Sequence, residues 1–425
     1  MAGKQLQGKK LLVLGASSNE TTLVKRAQSL GVYTIVTDYN QDYDISPAKK
    51  IADEAWDISW SDIDVLEKKC LEAGVDGVTA GYSEFRVENL IKLCRRLNLP
   101  CYINEEQLEI TRDKIRFKEE CRKNGVPVVK EYSCVEEVDA FPVIVKPVDR
   151  AGSIGISVAQ NMEQLQKAYA YAMDLSVCKR VIIEKYMQAR KIDVYYAVED
   201  GKIQLISSCD TIGAKANGLD KVTQSCWLYP MKEQRLYLEQ VDPSIRRMIQ
   251  NMNIQYGCIF FSGFFDENQT FTFFECGFRM EGAHQYNYVQ KRGLFHFLDL
   301  FIWHALTGHT DAMERGQGVD EAMNCAVINF YAKEGKIREI NGVEEIGRME
   351  QCQLALVHGR IGQECRETSA ILPKVAVFVL CDSSPQRLTE AAAFVYEKFA
   401  LIGENGEDLI FDRMDVSQIV NWWDV

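Results

Sequence analysis

The first hundred residues alternate between short β-branched runs and helical patterns, and that alternation leaves few folds open. Residues 9–18 read as a buried strand ending in the small-residue turn Gly15-Ala16-Ser17-Ser18. A helix pattern follows to residue 30, a second strand occupies 31–38, and a short extended piece lies within 51–58. Next come a helix over 61–73 with an Asp-rich first turn, a strand at 76–80, a helix over 84–97 and a short strand at 100–103. Strands joined through crossover helices run parallel, so residues 8–105 are expected to form a doubly wound, Rossmann-like parallel sheet.

The pattern then changes. Residues 111–127 read as a helix ended by Asn124-Gly125, with Pro127 beyond. Strands dominate afterwards, at 128–132, 143–146, 156–158, 181–184, 193–198 and 202–208. One helix, between 159 and 179, carries a Glu163–Lys167 pair. The aromatic runs 260–265 and 271–275, joined by Asp266-Glu267-Asn268-Gln269, read as a hairpin. An apolar helix covers 292–306, followed by strands at 324–331 and 374–380 and a helix at 385–399. The expected fold class is α/β and α+β, divided at 1–108, 109–315 and 316–425, with a lid over about 128–185 in the middle part.

A chain of 425 residues has room for two to four cores, and 47% hydrophobic with 26% charged residues suits a globular protein. The net charge of −12 argues against nucleic acid or an anionic membrane as partner. A small anionic ligand therefore needs local positive charge. No segment is long enough to cross a membrane and residues 1–10 are polar, unlike a signal peptide. The 14 cysteines are scattered without Cys-x-x-Cys or Cys/His metal spacing, which argues against zinc and suits a reducing, cytoplasmic setting.

The stretch 141–159 carries the first chemical signal. A β-branched run, Val143-Ile144-Val145, leads into Lys146, then a loop with Gly152, Ser153, Ile154 and Gly155, then a second β-branched run. Glycines let backbone N–H groups approach an anion, and the ammonium adds a point charge. The bland alternative is an ordinary hairpin with a surface lysine. No Gly-Lys-Ser/Thr run precedes a helix, so the P-loop pattern is absent. At the N-terminus, Gly15 after the first strand and Asp38 after the second also suggest an NAD-type site. That fit is weak, because Gly15-Ala-Ser-Ser-Asn-Glu20 lacks the second and third glycines of the fingerprint.

Four pieces occur in order: Asp113-Lys114 before Gly125-Val-Pro127, Pro142-Val-Ile-Val-Lys146 before the Gly/Ser loop, Val181-Ile-Ile-Glu-Lys-Tyr-Met187, and Thr272-Phe-Phe-Glu-Cys-Gly-Phe-Arg279. Together they resemble the ATP-grasp superfamily of carboxylate–amine ligases, closely over about residues 8–310 and more loosely beyond. The likeness is nearest to amino-acid and peptide-bond-forming ligases and the carbamoyl-phosphate-synthase-like clamp. Biotin carboxylase fits less well, since this chain is slightly short and its phosphate loop is poorer in glycine.

The resemblance implies ATP and Mg²⁺ as cofactors, with small-molecule carboxylate and amine substrates, and it allows a homodimer. It implies Lys114 and Lys146 on the α- and β-phosphates, with the loop at 151–155 closing over the β- and γ-phosphates. It also implies Glu184 on the adenine amino group, with Lys185, Tyr186 and Met187 lining the base. Glu275 would ligate Mg²⁺, Arg279 would meet the transferred phosphoryl group or the substrate carboxylate, and Asp193 would substitute for a ribose-binding glutamate. Two usual metal ligands are missing: Phe261-Ser-Gly-Phe-Phe265 contains no acid, and Gly277 stands in place of an asparagine. Glu84, Arg86, Glu281 and His284 are candidates for the substrate site, and 210–230, with Gly213, Lys215, Gly218 and Lys221, for a loop over it. The reaction expected is ATP-dependent carboxylate–amine ligation. A nucleotide-binding protein without ligase activity is the alternative, and an NAD-dependent oxidoreductase is the weaker third.

Overall fold

The structure is a computed structural model that describes residues 3–150, 154–213, 224–316, 318–366, 372–420 and 422. Its N-terminal part is a parallel sheet in the order Glu54–Trp56, Tyr33–Thr37, Lys10–Leu14, Gly77–Ala80. Helices Ser18–Ser29, Ile63–Ala73 and Glu84–Leu97 connect and cover it. Both faces are apolar, as a sheet sandwiched between helices requires.

Some expected elements differ. Residues 100–103 form no strand; the Tyr102 ring instead sits edge-on against Phe278 and Phe301, each 5.2 Å away between centroids. The helix expected over 111–127 is two helices, Glu105–Arg112 and Lys114–Asn124. Asp113 makes the break, because its carboxylate accepts from the N–H groups of Ile115 and Arg116 and caps the second helix. Helices Gln234–Gln240 and Asp242–Asn251 were not anticipated.

The segment expected as a lid forms a four-stranded sheet in the order Glu131–Tyr132, Val181–Lys185, Val143–Pro147, Ser157–Ala159, backed by helix Met162–Leu175 through Leu165, Ala168 and Ala172. The central sheet has eight antiparallel strands. Their order is Phe271–Phe278, Tyr256–Phe265, Arg190–Glu199, Lys202–Gly213, Gln224–Tyr229, Asn324–Tyr331, Lys374–Asp382 and Cys352–Val357. The pairing of Gln224–Tyr229 with Asn324–Tyr331 carries this sheet unbroken across residue 316. Much of the 210–230 segment is ladder and not loop, with Asp210 opposite Leu228; Lys215, Gly218 and Lys221 lie outside the described residues. A small sheet of Glu364–Cys365, Gly335–Asn341 and Ala400–Gly403, with helix Pro385–Lys398, completes the chain.

Candidate functional site

On the lid side, Lys146 and Glu184 are diagonal neighbours on adjacent strands, and Lys146 Nζ lies 2.6 Å from Glu184 Oε2. The other oxygen of Glu184 accepts from Lys118, a residue the sequence reading passed over. All three side chains are buried. Burial alone would raise the Glu184 carboxyl, but Lys146 and Lys118 outweigh it and hold the group below its ordinary value. Lys114 lies one turn before Lys118 on the same helix, half-buried, and donates to the Arg150 carbonyl at 3.0 Å. Burial draws its ammonium down against the pull of Glu275. Two ammoniums, Lys146 and Lys118, thus converge on one buried carboxylate, with Lys114 acting on it through space and the half-exposed Glu131 3.7 Å from Lys118 and shared with Arg122.

The facing wall is the end of the central sheet. A bulge shapes it: Ser262 pairs with Glu275 and Gly263 with Phe273, so Phe274 is the extra residue. The Phe274 ring lies 5.2 Å from Lys146 Nζ and 5.8 Å from Lys191 Nζ, which brings lid and sheet together. Glu275 is half-buried and makes no side-chain hydrogen bond or ion pair among the described residues; its charge acts on Lys114 and Lys191. Burial would lower Lys191, but Asp193, Glu275 and Glu281 hold it above its usual value.

Asp193 is buried and bonded at both oxygens, by Ser262 Oγ at 2.5 Å on one and by Thr211 Oγ1 and Trp227 Nε1 at 3.2 Å on the other. Ser262, in the stretch 261–265 where an acidic ligand was expected, is therefore turned to Asp193. Gly277 has a packing reason: a Cβ there would stand 2.5 Å from the Phe260 ring, which fills the space of the expected asparagine. Arg279 rests on that ring at 5.3 Å and donates through Nε to Glu84 at 2.8 Å. Burial and the neighbouring Asp193 push the Glu281 carboxyl up to about 7, against the Tyr195 hydroxyl that donates to it at 2.6 Å. His284 is buried, with Nδ1 2.7 Å from the Tyr286 hydroxyl, and burial lowers it well below its usual value.

Other candidates stand apart or are spent internally. Arg86 pairs with Glu20 and lies against Gly15, in the space a first-turn pyrophosphate would need. Asp38 is buried and accepts from Asn40 and Ser46. The two residues that suggested an NAD site are thus occupied by the protein's own groups. Of the lid loop, Ile154 is exposed and Gly155 lies against the Pro147 ring, while Gly152 and Ser153 fall outside the described residues. Lys185 and Tyr186 donate their backbone N–H groups to Lys130 and Pro142, which fixes this crossing segment at the edge of the cleft; Met187 follows, half-buried.

A polyphosphate fits this arrangement. Lys114, Lys146 and Lys191 bring local positive charge to one cleft, inside a chain of net charge −12. A divalent metal fits through Glu275 alone, since no cluster of three or more His, Cys, Asp or Glu suited to a metal occurs among the described residues. Mg²⁺ tolerates a single protein carboxylate when phosphate oxygens and water complete its shell.

Comparison with known proteins agrees with this architecture. The family described as D-ala D-ala ligase C-terminus matches residues 116–255. The small subunit of 2-oxoglutarate carboxylase from Hydrogenobacter thermophilus is 26% identical over 256 residues, covering 54% of this chain and 53% of that protein. The chain spans about half the length of the curated relatives it matches. Among solved structures, L-amino acid ligase from Bacillus licheniformis superposes with a TM-score of 0.75 at 16% identity, covering 94% of this chain and all of the other (100%). Biotin carboxylase from Campylobacter jejuni also scores 0.75, at 15% identity and 99% coverage of both chains. The fold likeness thus does not favour the amino-acid-ligase branch over the carboxylase branch. With its parallel N-terminal sheet, four-stranded sheet over residues 131–185 and antiparallel central sheet, the chain has the fold of these ligase and carboxylase structures, and residues 116–255 match the family described as D-ala D-ala ligase C-terminus.

Proposed function

We propose that this protein is an ATP-dependent ligase that activates a substrate carboxylate as an acyl phosphate, joins it to an amine, and releases ADP and phosphate. The observation behind this reading is the meeting of Lys114, Lys146 and Glu275 across one cleft, with Arg279 just past the end of the strand that carries Glu275. Bound Mg-ATP supplies the phosphoryl group and the charge-bridging metal. Lys114 and Lys146 hold the α- and β-phosphates from two sides, and Glu275 provides the protein carboxylate for the metal. Tyr186 and Met187 line the base. Arg279, fixed by Glu84 and stacked on Phe260, orients the substrate carboxylate. In the second step the amine nitrogen bonds to the acyl carbon and the C–O bond to phosphate breaks. Glu281, with its carboxyl near 7, takes the proton the amine loses. The remainder is positioning and charge neutralisation, with no side-chain nucleophile.

One observation favours a second reading, nucleotide binding without transfer: the stretch 261–265 supplies no acid, its Ser262 bonding Asp193, and the Phe260 ring lies against Gly277, so neither expected position offers a further metal ligand. Mg-ATP supplied with pooled carboxylates and amines separates the two. The ligase reading expects ADP and phosphate in equal amounts with a condensed product; tight ATP binding with no ADP from any pool supports the second reading.

A further inference from the structure

The sheet that lacks the further metal ligands presents a cation in the same place. Ser262 pairs with Glu275 on one neighbouring strand and with Asp193 on the other, so these three residues form one row across three strands. Lys191 lies two residues before Asp193 on strand Arg190–Glu199, and residues two apart in a strand face the same side of a sheet. It therefore stands on the face that carries Glu275. Its ammonium lies 5.8 Å from the Phe274 ring, and the same ring meets Lys146 at 5.2 Å from the facing wall.

This ammonium is not spent on the protein. Asp193 is the carboxylate within ion-pair distance among the described residues, and its Oδ1 is 3.9 Å away, too far for a hydrogen bond. That oxygen already accepts from Ser262 at 2.5 Å, and the other accepts from Thr211 and Trp227. Glu275 and Glu281 act on Lys191 only through space. Of the three cleft lysines, Lys146 is paired with Glu184 and Lys114 donates to the Arg150 carbonyl. Lys191 makes no hydrogen bond through Nζ among the described residues, although its side chain is only 21% exposed. A desolvated ammonium with unused donors is costly until a ligand takes them up. Balancing Asp193 alone accounts neither for the 3.9 Å gap nor for the place beside Phe274.

We propose that the Lys191 ammonium stands in for a second metal ion, donating to nucleotide phosphate oxygens beside the single metal that Glu275 holds. The inference rests on the ligase reading for its nucleotide. A compact point charge with three donors suits phosphate oxygens, and a triphosphate shielded from water needs its charge offset from several sides. The missing acid in 261–265 and the missing asparagine at Gly277 then go together with Lys191 as one arrangement: fewer metal ligands and a built-in cation.

The test is one of binding and needs no turnover. The full chain is loaded with a non-hydrolysable ATP analogue and titrated with Mn²⁺, and the metal taken up only in the presence of the analogue is counted by electron paramagnetic resonance. The wild-type protein is expected to take up a single Mn²⁺ per analogue. A second one overturns the inference and leaves the ligase reading intact, and this arm needs no variant to fold. Lys191→Met is expected to weaken the analogue by at least about tenfold and to leave AMP unchanged, while Lys191→Arg keeps most of the affinity. Equal losses for the analogue and AMP, or no loss for either, mark a structural role and overturn the inference. A selective loss in Lys191→Met, with no ADP released from any substrate pool, supports the role of Lys191 while the ligase reading fails. No binding of the analogue by the wild-type protein overturns both.

Discussion

Lys146 Nζ stands 2.6 Å from Glu184 Oε2 inside the lid sheet, and Lys118 holds the second oxygen of the same carboxylate. Glu184→Ala leaves both without their buried counter-ion and is expected to destabilise the protein by about 3–5 kcal/mol. Lys146→Met leaves Glu184 paired with Lys118, so it should cost less stability while losing turnover. Urea denaturation of both variants, beside ADP release, checks the order.

Part of this was legible in the sequence. Strand and helix patterns alternate over the N-terminal sheet, and Lys146 and Glu184 sit near strand ends, whereas the strand of Glu275 runs on to Phe278. Lys118 was not visible, because a lysine within Lys-Glu-Glu-Cys-Arg-Lys reads as a solvated face. The signal that could have found it is its spacing: Lys114, Lys118 and Cys121 share one helix face beside Phe117. The hydrogen bonding of Asp193 by Ser262, Thr211 and Trp227 and the Phe260 ring over Gly277 depend on contacts between distant segments, which no local pattern encodes.

Gly277→Asn introduces the residue the superfamily usually carries, yet the Phe260 ring already fills its space. The substitution is expected to destabilise by about 1–3 kcal/mol through overpacking and not to tighten Mg²⁺ binding. Combined with Phe260→Ala, the loss should be smaller than the sum of the two single losses, which a double-mutant cycle measures.

Arg279 and Glu84 tie the central sheet to the N-terminal part. Burial would raise Glu84, but Arg279 outweighs it and the carboxyl lies below its ordinary value. A depressed carboxyl adds stability above its unfolded value, and that stability is lost as pH falls through the folded value. The coupling between Arg279→Ala and Glu84→Gln is expected to be about 1.5–3 kcal/mol at neutral pH and to shrink in acid.

Glu281 has the opposite sign. Its carboxyl is raised from 4.5 to about 7, chiefly by burial. Its favourable contribution is complete below about 4.5 and is lost as pH rises through about 7. The Tm of the wild-type protein should therefore fall relative to that of Glu281→Gln between these values. Parallel Tm curves for the two proteins across that range would contradict the assignment. Turnover should rise with pH through the same region in wild type and lose that dependence in Glu281→Gln.

The central claim is that one protein carboxylate, Glu275, suffices for metal-assisted phosphoryl transfer in this cleft. The most direct measurement is ADP release from Mg-ATP with pooled carboxylates and amines, wild type beside Glu275→Gln. The account predicts substrate-dependent ADP release by the wild-type protein and a loss of at least about a hundredfold in the variant, with its fold and nucleotide binding retained. Equal turnover by the two proteins, or tight nucleotide binding by the wild type with no ADP from any pool, would contradict it.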